Sequence, residues 1–204
     1  MADQIRFTET MTGWFSPFAG QSYEQADATG KRERTGGYFV LTMLTPDVQA
    51  MTLDPNRRSP LYGCMVLPAV DPAPLRVLDG HLDLFVDAAP NVVHMRYALV
   101  MQAAGGATYF LRGVKEVVRQ SWFPTVSRDT TTLFVDIYAG SSPEGAPIHR
   151  GIVRMGPGAV IAQGLSFRGE GGLLGIGAIW RFMRYYIGRV CTVYFGPRGR
   201  GIRE

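Results

Sequence analysis

Apolar and polar positions alternate with a period of two along most of the chain. In RFTETMTGWF (Arg6–Phe15), one side carries Phe7, Glu9, Met11, Gly13 and Phe15; the other carries Arg6, Thr8, Thr10, Thr12 and Trp14. That alternation predicts a strand with one apolar and one largely hydroxylated face. YFVLTML (Tyr38–Leu44) predicts a nearly continuous apolar strand. GCMVLPAV, PLRVLDGHLDLFVD, NVVHMRYALVMQ, ATYFLRGVKEVV, DTTTLFVDIYAG and HRGIVRMGPG supply the rest. Asp79–Gly80, between alternating runs, predicts a two-residue hairpin, and AAGG (Ala103–Gly106) predicts another. The polar, glycine-bearing stretch from Ser16 to Gly37 reads as a long loop. About nine strands with short turns predict an all-β antiparallel protein, a closed barrel or a sandwich.

Two segments follow the helical period instead. TPDVQAMTLDP predicts a short helix with Thr45 as N-cap, Pro46 at the first position and Pro55 as the stop. GIGAIWRFMRYYIGRV spaces Ile176, Ile179, Trp180, Met183, Ile187 and Val190 as one stripe, with Arg181, Arg184 and Arg189 off it. This amphipathic C-terminal helix has two readings: its stripe packs on the barrel, or it contacts a membrane surface. Leu173–Phe195 is apolar enough to suggest a membrane span, but three internal arginines argue against one. The expected division is a β-barrel domain over 1–172 and a helix with a basic tail over 173–204, packed on the barrel.

Composition narrows the picture. With 204 residues, 46% hydrophobic and 19% charged, the chain has the makings of one soluble domain with a real core. Its 25 glycines and 13 prolines suit many turns. The net charge of +4 is almost all arginine, since Lys31 and Lys115 are the only lysines. Arg181, Arg184, Arg189, Arg198, Arg200 and Arg203 gather late. Such a tail suits an anionic membrane or simple solubility; without an RNA-binding signature or aromatic–basic interleaving, no nucleic-acid partner is expected. Cys64 and Cys191 lie among apolar neighbours and are expected as two buried, reduced thiols. With MADQIRF lacking a secretion signal, a cytoplasmic location is expected.

Catalytic signatures are missing. GEGGLLGIG follows no strand and carries no lysine, so it is a poor phosphate loop. His81, His94 and His149 lack metal-ligand spacing, and there is no nucleophile elbow, so no cofactor or metal is expected. Misplaced charges are more informative. In NVVHMRYALVM the apolar register is Val93, Met95, Tyr97, Leu99 and Met101, which leaves His94 and Arg96 facing solvent. In TYFLRGVKEVV one register is Tyr109, Leu111, Gly113, Lys115 and Val117. If that register is internal, Lys115 points inward, as Glu9 does from the first strand. Lone buried charges cost several kcal/mol, so the two are expected to find each other or a ligand. Such a pair either plugs the barrel and fixes register or lines a cavity and polarises a ligand oxygen. Asp129 reads as a turn cap, and Thr132, in register with Phe134, Asp136 and Tyr138, as a cavity hydroxyl or a surface residue.

FTETMTGWF, FVLTML before DVQAMTLDP, LRVLDGHLDLFV, MRYALVMQAAGGATYFLRGVKEVV, DTTTLFVDIYAG and IWRFMRYYIG together carry a resemblance, from about Phe7 to Tyr186. In this order they resemble a β-rich accessory region. That region is fused in long bacterial proteins to flavin-dependent cholesterol oxidase-like domains of the glucose–methanol–choline type and to α/β-hydrolase domains. The resemblance implies a lipocalin-like closed barrel tied to sterol or other lipid metabolism, with a flavin-dependent oxidoreductase as a partner. It transmits no oxidase activity and no catalytic residues, although Glu9 and Lys115 fall within the matching segments. Two functions are therefore expected. One is binding of an apolar small molecule (sterol, polyketide or lipid) in the barrel, with Glu9, Lys115 and Tyr97 orienting its polar end and Met11, Met95, Leu111 and Thr132 contributing to the wall. The alternative is a cofactor-free isomerase or cyclase, including a pericyclic polyketide cyclase. It would fold its substrate while Lys115 or Tyr97 donates to a carbonyl and Glu9 shifts protons.

Overall fold

The computed structural model describes residues 3–89, 92–118, 130–170 and 173–195. In chain order the elements are β1 (Ile5–Pro17), α1 (Tyr23–Glu33), β2 (Gly36–Thr45), α2 (Val48–Leu53), β3 (Arg58–Leu67), β4 (Asp71–Ala89) and β5 (Val92–Gln102). Then come β6 (Thr108–Val118), β7 (Thr132–Ala139), β8 (His149–Arg154), α3 (Pro157–Ser166), the two-residue β9 (Arg168–Gly169) and α4 (Leu173–Phe195). Each strand from β1 to β8 pairs antiparallel with the next, and β1 pairs with β8. The sheet is thus a closed eight-stranded barrel, with β9 added on β1. Closure removes the exposed edges that an open sheet of alternating strands would present.

The expected registers hold. Ile5, Phe7, Glu9, Met11 and Phe15 of β1 face inward, as do Leu111, Lys115 and Val117 of β6. One half of the barrel is solid: Phe15, Phe39, Met65, Leu75, Met101 and Ile137 are all fully buried there. The other half is roofed by α3 and α4.

Several expectations need correction. The Ser16–Gly37 stretch holds α1, whose fully buried positions are the small Ala26 and Gly30, with Tyr23 packing on Phe134 at its start, so no apolar stripe announces it. Gly30 lies so close to β1 that a Cβ would come within 2.3 Å of the Phe15 carbonyl oxygen. The legible signal was the capping box, in which Ser22 and Gln25 bond reciprocally. Asp79–Gly80 is no hairpin; it lies at a bulge inside the 19-residue β4, which pairs on both edges. AAGG does turn β5 into β6, with the Gly106 N–H donating to the Ala103 carbonyl. The N-cap of α2 is Asp47, whereas the Thr45 hydroxyl bonds Ser59. Cys64 is half-buried on an outward position and Cys191 is exposed on α4; both are free thiols. His94 lies on the outward register, 3.7 Å from Glu116. Asp129, Arg198, Arg200 and Arg203 lie outside the described residues.

α1 is fastened from outside by a buried carboxylate. Asp136 of β7, wholly buried, accepts from Arg150 Nε (2.7 Å), Arg112 Nη2 (3.0 Å) and Tyr23 Oη (2.8 Å). Arg150 is sandwiched between the rings of Phe18 and Tyr23. Burial pushes the Asp136 carboxyl up, but the hydrogen bonds from Arg150, Arg112 and Tyr23 outweigh it and hold it below its ordinary value. Burial and the same carboxylate push Tyr23 up to about 12. A depressed carboxyl contributes stability above its unfolded pKa of about 3.9 and loses it as pH falls through the lower folded value. Asp136→Asn is therefore expected to lower unfolding free energy by about 2–4 kcal/mol at pH 7. Urea titrations across pH should show this deficit shrinking below about pH 4.

Candidate functional site

Four elements deliver polar groups to one point inside the barrel. Glu9 comes from β1, Tyr97 from β5, Lys115 from β6 and Gln163 from α3. Tyr97 Oη donates to Glu9 Oε1 at 2.8 Å, and Lys115 Nζ donates to Glu9 Oε2 at 2.9 Å. Gln163 Nε2 stands 3.5 Å from Glu9 Oε2. The Lys115 ammonium also lies 5.1 Å from the centre of the Tyr97 ring. Glu9, Lys115 and Tyr97 are 5%, 3% and 2% exposed, so these contacts replace water almost completely.

Strand pairing explains the convergence. Met95 pairs with Lys115 and Tyr97 with Gly113, so Tyr97 and Lys115 are diagonal neighbours on one inner face. Gly113 leaves room for the tyrosine, since a Cβ there would sit 3.2 Å from Tyr97 Cβ. Burial, then the Glu9 charge and hydrogen bond, hold the Tyr97 phenol far above its ordinary value. Tyr97 therefore remains a donor at neutral pH. Tyr186 of α4 is likewise raised, by burial first and Glu9 second.

Glu9, Tyr97 and Lys115 form the floor of a cavity of about 280 Å³. Its walls are Phe7, Leu82, Leu84, Met95, Thr130, Thr131 and Met155; its roof is Val160, Gln163, Gly164 and Phe167, with Phe182, Met183 and Tyr186 of α4. The roof is seated in a gap of the barrel wall. β1 pairs with β8 from Thr12 onward and with β9 at Ile5 and Arg6, which leaves the residues between without a strand on that edge. α3 lies over this gap, and Ser166 Oγ accepts the Thr8 backbone N–H at 2.9 Å. Phe167 stacks on Phe7 at 4.6 Å, and Phe182 lies 5.8 Å from Phe7. At the far side a bulge puts Phe85 at φ 51°, so that consecutive Leu84 and Phe85 both turn toward α4. The Phe85 ring meets Tyr186 at 5.0 Å, and its carbonyl accepts from Arg57 and Arg189.

Of the expected site residues, Glu9, Lys115, Tyr97 and Met95 meet at this cavity. Met11 and Leu111 face inward but belong to the solid half of the barrel, away from the lining. Thr132 is corrected: it stands on the outer register of β7, opposite Arg154, and its neighbours Thr130 and Thr131 line the cavity instead. The α4 stripe divides. Ile179, Met183 and Val190 pack against the core alongside Gly175, Ala178 and Phe182, whereas Ile176, Trp180 and Ile187 are exposed. The reason is close approach, because a Cβ on Gly175 would lie 2.5 Å from the Gly169 carbonyl oxygen. Sequence reasoning missed α3 and hence Gln163 and Phe167. Pro157 at its first position was the available signal.

Removing one partner of a buried pair strands the other. Lys115→Met is expected to lower stability by about 3–5 kcal/mol at pH 7, while Glu9→Leu/Lys115→Met recovers most of that loss. Guanidinium unfolding of Lys115→Met, Glu9→Leu and the double variant checks this; a double-variant loss equal to the sum of the two single losses would show that the two side chains are not coupled.

No protein-family model matches the chain, and no curated protein or solved structure gives a significant match.

Proposed function

We propose that this barrel binds one apolar molecule in its capped half, holding a neutral oxygen of that molecule against the Lys115 ammonium. The observation that carries the reading is the charged floor of a largely apolar cavity. Lys115 has three N–H donors, and among the described residues its hydrogen bond is the single one to Glu9. The remaining donors suit a ligand oxygen. Because Glu9 balances Lys115, a ligand carboxylate would bring an uncompensated buried charge, so a ketone, ester or alcohol fits better. A volume of about 280 Å³ lies at the small end of ligand pockets, which run to about 1,000 Å³. That favours a single acyl chain or a compact ring system over a full sterol skeleton. Met95, Met155 and Met183 supply an adaptable wall.

A second reading is favoured by the Tyr97–Glu9–Lys115 chain itself: a cofactor-free isomerase or cyclase in which Lys115 donates to a substrate carbonyl and Glu9 relays a proton. Fluorescent-probe displacement separates binding from its absence. A medium-chain ketone or alcohol should bind at one site, and Glu9→Leu/Lys115→Met should weaken it by about tenfold to a hundredfold while leaving the matching alkane unchanged. Equal affinity of alkane and alcohol for the wild-type protein would refute the polar anchor. Turnover of a ketone substrate that disappears in the same folded variant would establish the second reading.

A further inference from the structure

Of ten large hydrophobic side chains exposed among the described residues, six lie on the two helices that roof the cavity: Val160, Ile161 and Leu165 on α3, and Ile176, Trp180 and Ile187 on α4. Isolated exposed apolar residues need no explanation, but such clustering marks an interaction face. α3 has no buried residue, no charge and no side-chain N-cap. On α4, Ile176, Trp180 and Ile187 follow at steps of four and seven, so they form one exposed line. Both lines border the cavity: Val160 lines it from α3, and Met183, one turn from Ile187, lines it from α4.

The charges on this face are mainly positive. Neither Pro157–Gly169 nor Leu173–Phe195 contains an acidic residue. Arg184 is exposed and has no ion-pair partner among the described residues, whereas Arg181 is paired with Asp3 and Arg189 with Asp87. Arg6 and Arg168, both exposed, are register partners where β9 joins β1. Against these stands the exposed Glu170. No described helix is long and apolar enough to cross a membrane. An apolar line containing tryptophan with arginines beside it fits the interfacial zone of a bilayer, where apolar side chains enter and guanidinium groups meet anionic headgroups. A second copy of this chain would bring the same uncompensated positive charge to the contact.

We infer that the α3–α4 face docks on the surface of an anionic lipid bilayer, which sets the roof of the cavity against the membrane. Docking stands on the exposed face alone and does not depend on what the cavity holds. The test is co-sedimentation of the full chain with vesicles of phosphatidylcholine alone or with one quarter phosphatidylserine. Binding is expected to the anionic vesicles and to weaken with salt. Arg184→Gln should lower partitioning about fivefold. Trp180→Glu/Ile187→Glu should abolish it at unchanged thermal midpoint, whereas Leu78→Glu, on an exposed position of β4, should leave it intact. Failure to bind either vesicle, or loss on Leu78→Glu as large as on the helix variant, would overturn the inference. So would a concentration-dependent dimer, seen by analytical ultracentrifugation, that Trp180→Glu/Ile187→Glu dissolves, because the face would then belong to a second copy.

Discussion

The Glu9 carboxylate is the constraint around which the interior is arranged. At 5% exposure it has lost nearly all its water, and its hydrogen-bond partners among the described residues are all donors: a phenol, an ammonium and an amide. Its main partner stands across the barrel. β1 and β6 are separated by two strands in one direction and four in the other, so the ion pair spans the interior instead of linking adjacent strands. A one-residue slip in either strand would turn one charge outward and leave the other buried alone. The pair thus penalises wrong registers over the whole closed sheet.

The same pair divides the barrel. On one side, aromatic and aliphatic side chains fill the lumen, as in small barrels whose interior is just wide enough for its own residues. On the other, the wall opens beside Glu9 and the space is closed by helices instead of side chains. Ser166 satisfies the Thr8 N–H exposed by that opening, which is how a gap in a closed sheet is tolerated without an orphaned donor. The floor is set by strand geometry and held rigidly by paired charges. The roof rests on aromatic contacts among Phe7, Phe167 and Phe182. A preorganised polar floor under an apolar roof is a common plan for a small-molecule site.

Much of this was legible in the residues, because strand periodicity is a strong signal. Once β1 and β6 were read at period two, Glu9 and Lys115 had to share the interior if the sheet closed, and Tyr97 followed from the register of β5. What sequence hid were contacts made by small residues. The fully buried positions of α1 are Ala26 and Gly30, and the closest approach of α4 is at Gly175 beside Ala178, so these contacts do not stand out as a hydrophobic stripe. On α4 the bulky stripe was only half right, with Ile179, Met183 and Val190 packed and Ile176, Trp180 and Ile187 exposed, since backbone approach at Gly169 and Gly175 set the rotation. Asp79–Gly80 misled for the opposite reason: a turn-favouring pair sits at a bulge, where pairing on both edges overrides local preference. Thr132 differed by one step from the cavity-lining Thr130 and Thr131, at the point where β7 begins.

The most direct test of the charged floor as a ligand anchor is a crystal structure of the protein with a medium-chain alcohol carrying a terminal bromine. The hydroxyl oxygen is expected within hydrogen-bonding distance of Lys115 Nζ, with an anomalous bromine peak under the α3–α4 roof. Bromine on the outer surface alone, or a lumen closed by collapsed side chains around an isolated Glu9–Lys115 pair, would contradict the anchor.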